Sequence, residues 1–193
     1  MERKELIDLT LAILLATFIF SFPNLRIENF FNYLIIVLIS FLPHELAHRY
    51  LARKFGYIAF FQIWPQGILI ALLTLIASYG LIKFIALGAV MIYPISFRGG
   101  FLIEKRISIK ENALISLAGP LVNIIICILS LLIYLATKIN LLLYIAQVNA
   151  WISVFNLLPI FPLDGSKIFV YSYKKWILIF FFSFMLLVLT YIG

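Results

Sequence analysis

The chain has 193 residues, 65% of them hydrophobic and only 12% charged, with a mean hydropathy of +1.14. A soluble domain carries roughly twice that share of charge, so the composition excludes a water-soluble globule, a disordered chain and a nucleic-acid-binding module. It implies a polytopic membrane protein, with length for about six crossings at roughly 20 residues each, and the net charge of +7 is the excess of Lys and Arg expected on cytoplasmic loops.

The first apolar run is Leu6–Phe22, behind Met1-Glu2-Arg3-Lys4-Glu5. It has the length of a signal peptide but ends Phe20-Ser21-Phe22-Pro23 without a small-residue cleavage site, so a retained span is expected. The runs Phe30–Ala52, Gly67–Tyr93, Ala113–Thr137, Leu141–Leu158 and Trp176–Ile192 follow, and the only long polar stretch is Arg98–Lys110. The fold expected is an all-α polytopic membrane protein of about six hydrophobic segments. It forms one domain over 1–193, with its core in 30–175. Cys127 lies inside an apolar run and reads as a small buried side chain.

Gly67–Tyr93 is the ambiguous segment. Ser78-Tyr79-Gly80 and Lys83 interrupt it, which suggests a helical hairpin that enters and leaves on one side. With the N-terminus in the cytoplasm, a hairpin puts 12 basic residues inside and leaves three, Arg26, Lys83 and Lys138, outside or at the tip. A single crossing would move Arg98, Lys105, Arg106 and Lys110 outside, against the positive-inside rule. A multi-pass cell-membrane protein with a cytoplasmic N-terminus is therefore expected.

Only two histidines occur, in Pro43-His44-Glu45-Leu46-Ala47-His48. Residues i and i+4 share one helix face, so both imidazoles can reach one metal ion, and the intervening Glu45 can take a proton from the attacking water. The motif sits inside an apolar run, where ionisable groups are costly and functional. Arg49, next to the cytoplasmic end, is expected to snorkel.

A zinc site needs a further protein ligand and an open position. Without another histidine the candidates are carboxylates: Glu2, Glu5, Asp8, Glu28, Glu104, Glu111 and Asp164. Asp164 is the one set in a segment that looks built for a site. Pro159 and Pro162 break the fifth run ahead of it, and irregular backbone at membrane depth lines cavities. His44 lies eight residues before Ala52, about 12 Å below the end of its helix. Asp164 meets that depth only if Gly67–Tyr93 returns to the side it left.

The segments "HELAHRYLA", "AGPLVN" (Ala118–Asn123) and "FNLLPIFPLDG" (Phe155–Gly165) resemble the three signatures of the site-2 proteases, intramembrane zinc metalloproteases. The likeness is to a compact archaeal-like subgroup without PDZ or CBS domain, with "WPQG" (Trp64–Gly67) ahead of the hairpin. The resemblance implies one zinc ion per chain on His44, His48 and Asp164, Glu45 as catalytic acid and base, and Asn156 beside the scissile carbonyl as an oxyanion donor. Asn123 reads chiefly as helix packing beside Gly119-Pro120. Tyr57–Ile63 and Val90–Phe97 are aromatic and β-branched, which suits either a small sheet at the membrane surface or interfacial anchoring. In the family such an edge strand holds an unfolded substrate.

The function expected is cleavage of transmembrane segments in regulated intramembrane proteolysis. The partners are then membrane-protein substrates and the bilayer, with no nucleic acid. The alternatives are a non-catalytic membrane-helix-binding homologue and a metal or ion transporter. No G-x-S-x or G-x-G-D motif supports a rhomboid-like or presenilin-like protease.

Overall fold

Long apolar stretches without helix-breaking clusters form the frame. A computed structural model describes residues 3–98, 101–104 and 106–192. Glu2 and Lys105, counted above as a candidate carboxylate and an interior basic residue, lie outside them. The helices are α1 (Arg3–Ser21), α2 (Ile27–Lys54), α3 (Pro65–Ala77), α4 (Ile109–Thr137), α5 (Asn140–Asn156), α6 (Asp164–Tyr171) and α7 (Tyr173–Ile192). The strands are β1 (Ile58–Ile63), β2 (Gly88–Tyr93), β3 (Ile95–Arg98) and β4 (Phe101–Glu104), in two antiparallel pairs.

Among the described residues, α2, α4 and α7 are long and apolar enough to cross a membrane. The six expected segments are not all of this kind. α1 carries Arg3, Lys4, Glu5 and Asp8 in its first two turns, and α5 has only 17 residues. α4 starts at a capping box: the Ser108 hydroxyl accepts from the Glu111 N–H, and Glu111 reaches back to the Ser108 N–H. This satisfies two donors that the first turn would leave open.

The core has two main parts. Ala12, Ala16 and Ile19 of α1, Ile36 and Val37 of α2, Phe61 of β1, Leu75 of α3 and Ile152 of α5 pack into one cluster. Ile124 and Cys127 of α4, Ala146 and Ala150 of α5, and Leu186 and Leu187 of α7 form another. Small residues there let α4 and α5 approach closely, as is usual between helices in lipid.

The Gly67–Tyr93 segment is not a helical hairpin. α3 is its only helical limb. After Gly80, in a left-handed conformation with φ +82°, the chain returns as irregular backbone to β2. Its ends nevertheless meet: the Trp64 N–H donates to the Leu87 carbonyl at 2.9 Å, and β2 pairs with β1, Phe61 opposite Val90. At the far tip the Lys83 ammonium donates to the carbonyls of Ile19, Phe20 and Phe22. These are orphan acceptors at the end of α1. One ammonium thus satisfies three of them and pins the tip there.

The expected sheet forms, with narrower limits. Pro94, which has no N–H to give a ladder, separates β2 from β3, so Val90–Phe97 is not one strand. The outer edge of β1 is closed by side chains rather than by a strand. Its Phe61 N–H donates to Glu5 Oε1 (3.2 Å), its Ile63 N–H to Asp8 Oδ2 (3.5 Å), and Arg53 donates to the Ala59 carbonyl. Arg49 does not snorkel. It makes a forked ion pair with the buried Glu5 carboxylate at 2.9 and 3.0 Å, so α1, α2 and β1 meet at one ionic junction.

Candidate metal centre

α2 carries His44 and His48 one helical turn apart, and their Nε2 atoms lie 3.0 Å from each other. Asp164 is the first residue of α6. Its Oδ2 sits 3.0 Å from His48 Nε2 and 3.5 Å from His44 Nε2. The three ligand atoms lie within 4.8 Å of one another, and they are the only such cluster found among the described residues. None of the other described carboxylates joins them. Glu5 is paired with Arg49, Asp8 lies against β1, and Glu111 caps α4 and accepts from the Tyr57 hydroxyl.

The chain path explains how Asp164 arrives there. α5 ends at Asn156, and Pro159 and Pro162 keep the next turn from continuing as helix. The Leu163 N–H closes that turn on the Ile160 carbonyl, and Trp176 Nε1 donates to the Leu157 carbonyl. Gly165 then passes so close to α5 that a Cβ would lie 2.0 Å from the Leu157 carbonyl oxygen. Only glycine permits this approach, and the approach drops Asp164 beside α2.

Both rings are held by their far nitrogen. His48 Nδ1 donates to the Ile115 carbonyl at 2.7 Å, and His44 Nδ1 to Asn123 Oδ1 at 2.5 Å. With the proton on Nδ1, each Nε2 lone pair faces the other ring and the Asp164 carboxylate. Three electron-pair donors at this spacing repel one another unless a cation lies among them. Two neutral imidazoles and one carboxylate are a donor set that suits zinc and leaves a fourth position open. Asp164 Oδ1 turns the other way, 3.5 Å from Lys167 Nζ.

Glu45 is buried, and its Oε2 has no hydrogen-bond partner among the described residues. An orphaned buried carboxylate oxygen is expensive. Its presence beside an acceptor-rich cluster fits a group kept free to take a proton. All four side chains line one cavity of about 600 Å³, which β2 borders along Gly88–Ile92. Asn156 also lines it and gives an amide N–H to the Ile152 carbonyl. Residues the sequence reading did not single out as part of the site complete it: Gly119 packs against both rings, and Ser40 and Asn149 bond to Asn123. The signal in the sequence that points to α4 is the segment AGPLVN (Ala118–Asn123).

Residues 32–140 match the model of Peptidase family M50. A Methanocaldococcus jannaschii protein provisionally named a zinc metalloprotease is 35% identical over 183 residues, covering 92% of this chain and 90% of its own. A Bacillus subtilis protein with the same provisional name is 32% identical, covering 70% and 67% respectively. A second Methanocaldococcus jannaschii protein, named a zinc metalloprotease, is 29% identical, and the matched part is 32% of its length. No solved structure matches the chain significantly. With more than half of its length inside the family match and a relative aligned almost from end to end, the chain belongs to peptidase family M50, the site-2 protease family.

Proposed function

We propose that the protein is an intramembrane zinc endopeptidase that cuts transmembrane segments of other membrane proteins. The carrying observation is the convergence of His44 Nε2, His48 Nε2 and Asp164 Oδ2 in a cavity that also holds Glu45, whose Oε2 has no hydrogen-bond partner among the described residues. His44, His48 and Asp164 would hold one zinc ion per chain. When bound, zinc acts as a Lewis acid on the scissile carbonyl and makes water acidic enough to be deprotonated near neutral pH.

The chain's own groups do the rest. Glu45 accepts the proton of the attacking water and returns it to the amine that leaves as the peptide bond breaks. Asn156 offers its second amide N–H to the carbonyl oxygen as negative charge develops there. The cavity-facing edge of β2 offers backbone groups to an extended segment, whereas β1 is closed on its far side by Glu5, Asp8 and Arg53. A substrate helix hides its carbonyls in i to i+4 bonds, so it must unwind before attack. Helix-weakening residues in the substrate favour cleavage for that reason.

The membrane setting rests on α2, α4 and α7. The cytoplasmic N-terminus rests on the distribution of basic residues. A purely binding homologue has no use for the free Glu45 oxygen, and a transporter would yield no shortened products. Co-expression of the full chain with a panel of single-span membrane proteins tests the reading. Shortened products should appear with the native chain and vanish with His44→Ala or a membrane-permeant zinc chelator. Products that persist through both treatments would sink it.

A further inference from the structure

The two imidazoles are oriented by different kinds of acceptor. His48 donates to a backbone carbonyl, which can only accept. His44 donates to a side-chain carboxamide, which can present either oxygen or NH2. If Asn123 turned its NH2 toward His44, donor would face donor. The ring would then have to shed the Nδ1 proton and carry it on Nε2, where the metal belongs. The state of His44 therefore depends on which way Asn123 is turned.

That direction is settled by a chain of bonds ending on groups with no choice. Asn149 Nδ2 donates to the Ile145 carbonyl at 2.8 Å and to Ser40 Oγ at 2.7 Å. The Ser40 hydroxyl donates to the Ile36 carbonyl. Asn149 Oδ1 must then face Asn123 and accept from its Nδ2 at 2.7 Å, while the Ser40 carbonyl accepts the second N–H at 2.9 Å. Only Oδ1 of Asn123 is left for His44. Ser40, Asn123 and Asn149 are each wholly buried, so water cannot substitute for any link. The three residues come from α2, α4 and α5.

We infer that Asn123, oriented by Asn149 and Ser40, is the positioning residue that fixes the tautomer and ring angle of His44, so that Nε2 is always available to the metal. The inference rests on the zinc reading above and adds to it a role for the α4–α5 pair. Loss of an outer partner of a ligand histidine costs about 10–100-fold in metal affinity. A helix-packing role alone predicts the opposite order of variants. Asn123→Leu, apolar and of similar size, would then be mild, and Asn123→Asp, a buried acid, would be severe.

The test uses the full chain in detergent, zinc-loaded, with the zinc content of the native protein measured first. Release of zinc to excess chelator should be about 10–100-fold faster in Asn123→Leu than in the native chain. Asn123→Asp keeps an acceptor for His44 and, protonated on its other oxygen, a donor for Asn149 Oδ1 or the Ser40 carbonyl, so it should lie closer to native than Asn123→Leu does. Nitrogen-labelled histidine gives a second readout, because the chain has only two histidines. The native protein should show two protected Nδ1–H signals, and Asn123→Leu should keep one. Equal release rates with both signals intact in Asn123→Leu would overturn the inference while leaving the zinc site standing. A native His44 protonated on Nε2 would overturn it without any variant. A native chain that holds no zinc would overturn the metal reading, and this inference with it.

Discussion

Gly119 lies directly against His48: a Cβ at that position would sit 2.3 Å from His48 Nε2, and 2.7 Å from His44 Nε2. Helix α4 thus contributes an absence of side chain to the site, and the space it leaves is occupied by both imidazoles. Gly119→Ala should raise helix propensity by up to about 1 kcal/mol yet push both rings off their positions. The expected outcome is a folded protein with sharply reduced zinc content, read by metal analysis alongside circular dichroism. Native zinc content in that variant would mean that the rings are free to retreat.

Asp164 should be indispensable for the metal, because two imidazoles alone hold zinc weakly. Asp164→Ala should therefore purify with little zinc, while the native chain carries about one ion. Full occupancy in the variant would return attention to the remaining carboxylates. Of those, Glu111 is already committed to Ser108 and Tyr57.

The Glu5–Arg49 pair should matter for stability rather than chemistry. Removing one partner leaves a buried charge without compensation, which costs about 3–5 kcal/mol. Glu5→Ala should lower resistance to denaturant by about that amount, and it also strips the Phe61 N–H of its acceptor. Glu5→Leu combined with Arg49→Met should recover much of the loss, since a buried pair replaced by apolar groups is often neutral. A Glu5→Ala protein as stable as the native one would show that water reaches the junction.

Topology can be read with thiols. The chain leaves α2, makes its excursion through α3 and comes back to pair β2 with β1. A cysteine replacing Arg98 should therefore react only from the cytoplasmic side. Cys127 is wholly buried, and a Cys127→Ser background removes it altogether. Labelling of Arg98→Cys in intact cells by a membrane-impermeant reagent would place Arg98 on the outer face and contradict this orientation.

The parts of the structure legible in the sequence are those with a local signature. Apolar length announced α2, α4 and α7, the i, i+4 spacing announced His44 and His48, and the Pro159–Pro162 break announced Asp164. What stayed hidden was set by partners far along the chain. Nothing near Glu5 or Asp8 shows that they close the edge of β1, some fifty-five positions away. Arg49 looked like an interfacial cation because its partner lies forty-four residues before it. The break at Ser78-Tyr79-Gly80 and the basic-residue distribution announce a return to the same side, but apolar length does not tell whether the return limb is helical. It is irregular up to Gly88, with the β1 ladder and the Lys83 clamp fixing its ends. Asn149 and Ser40 read as ordinary polar residues in apolar helices, since their meaning depends on facing Asn123.

The most direct test of the central claim separates metal binding from proton transfer. Native and Glu45→Gln chains are reconstituted with a single-span membrane substrate, and zinc content and cleavage are measured on the same samples. Glutamine keeps the shape of Glu45 but cannot take a proton. Zinc should stay near one per chain, while cleavage falls by at least about 10²–10⁴-fold. Cleavage at the native rate by zinc-loaded Glu45→Gln would contradict the account.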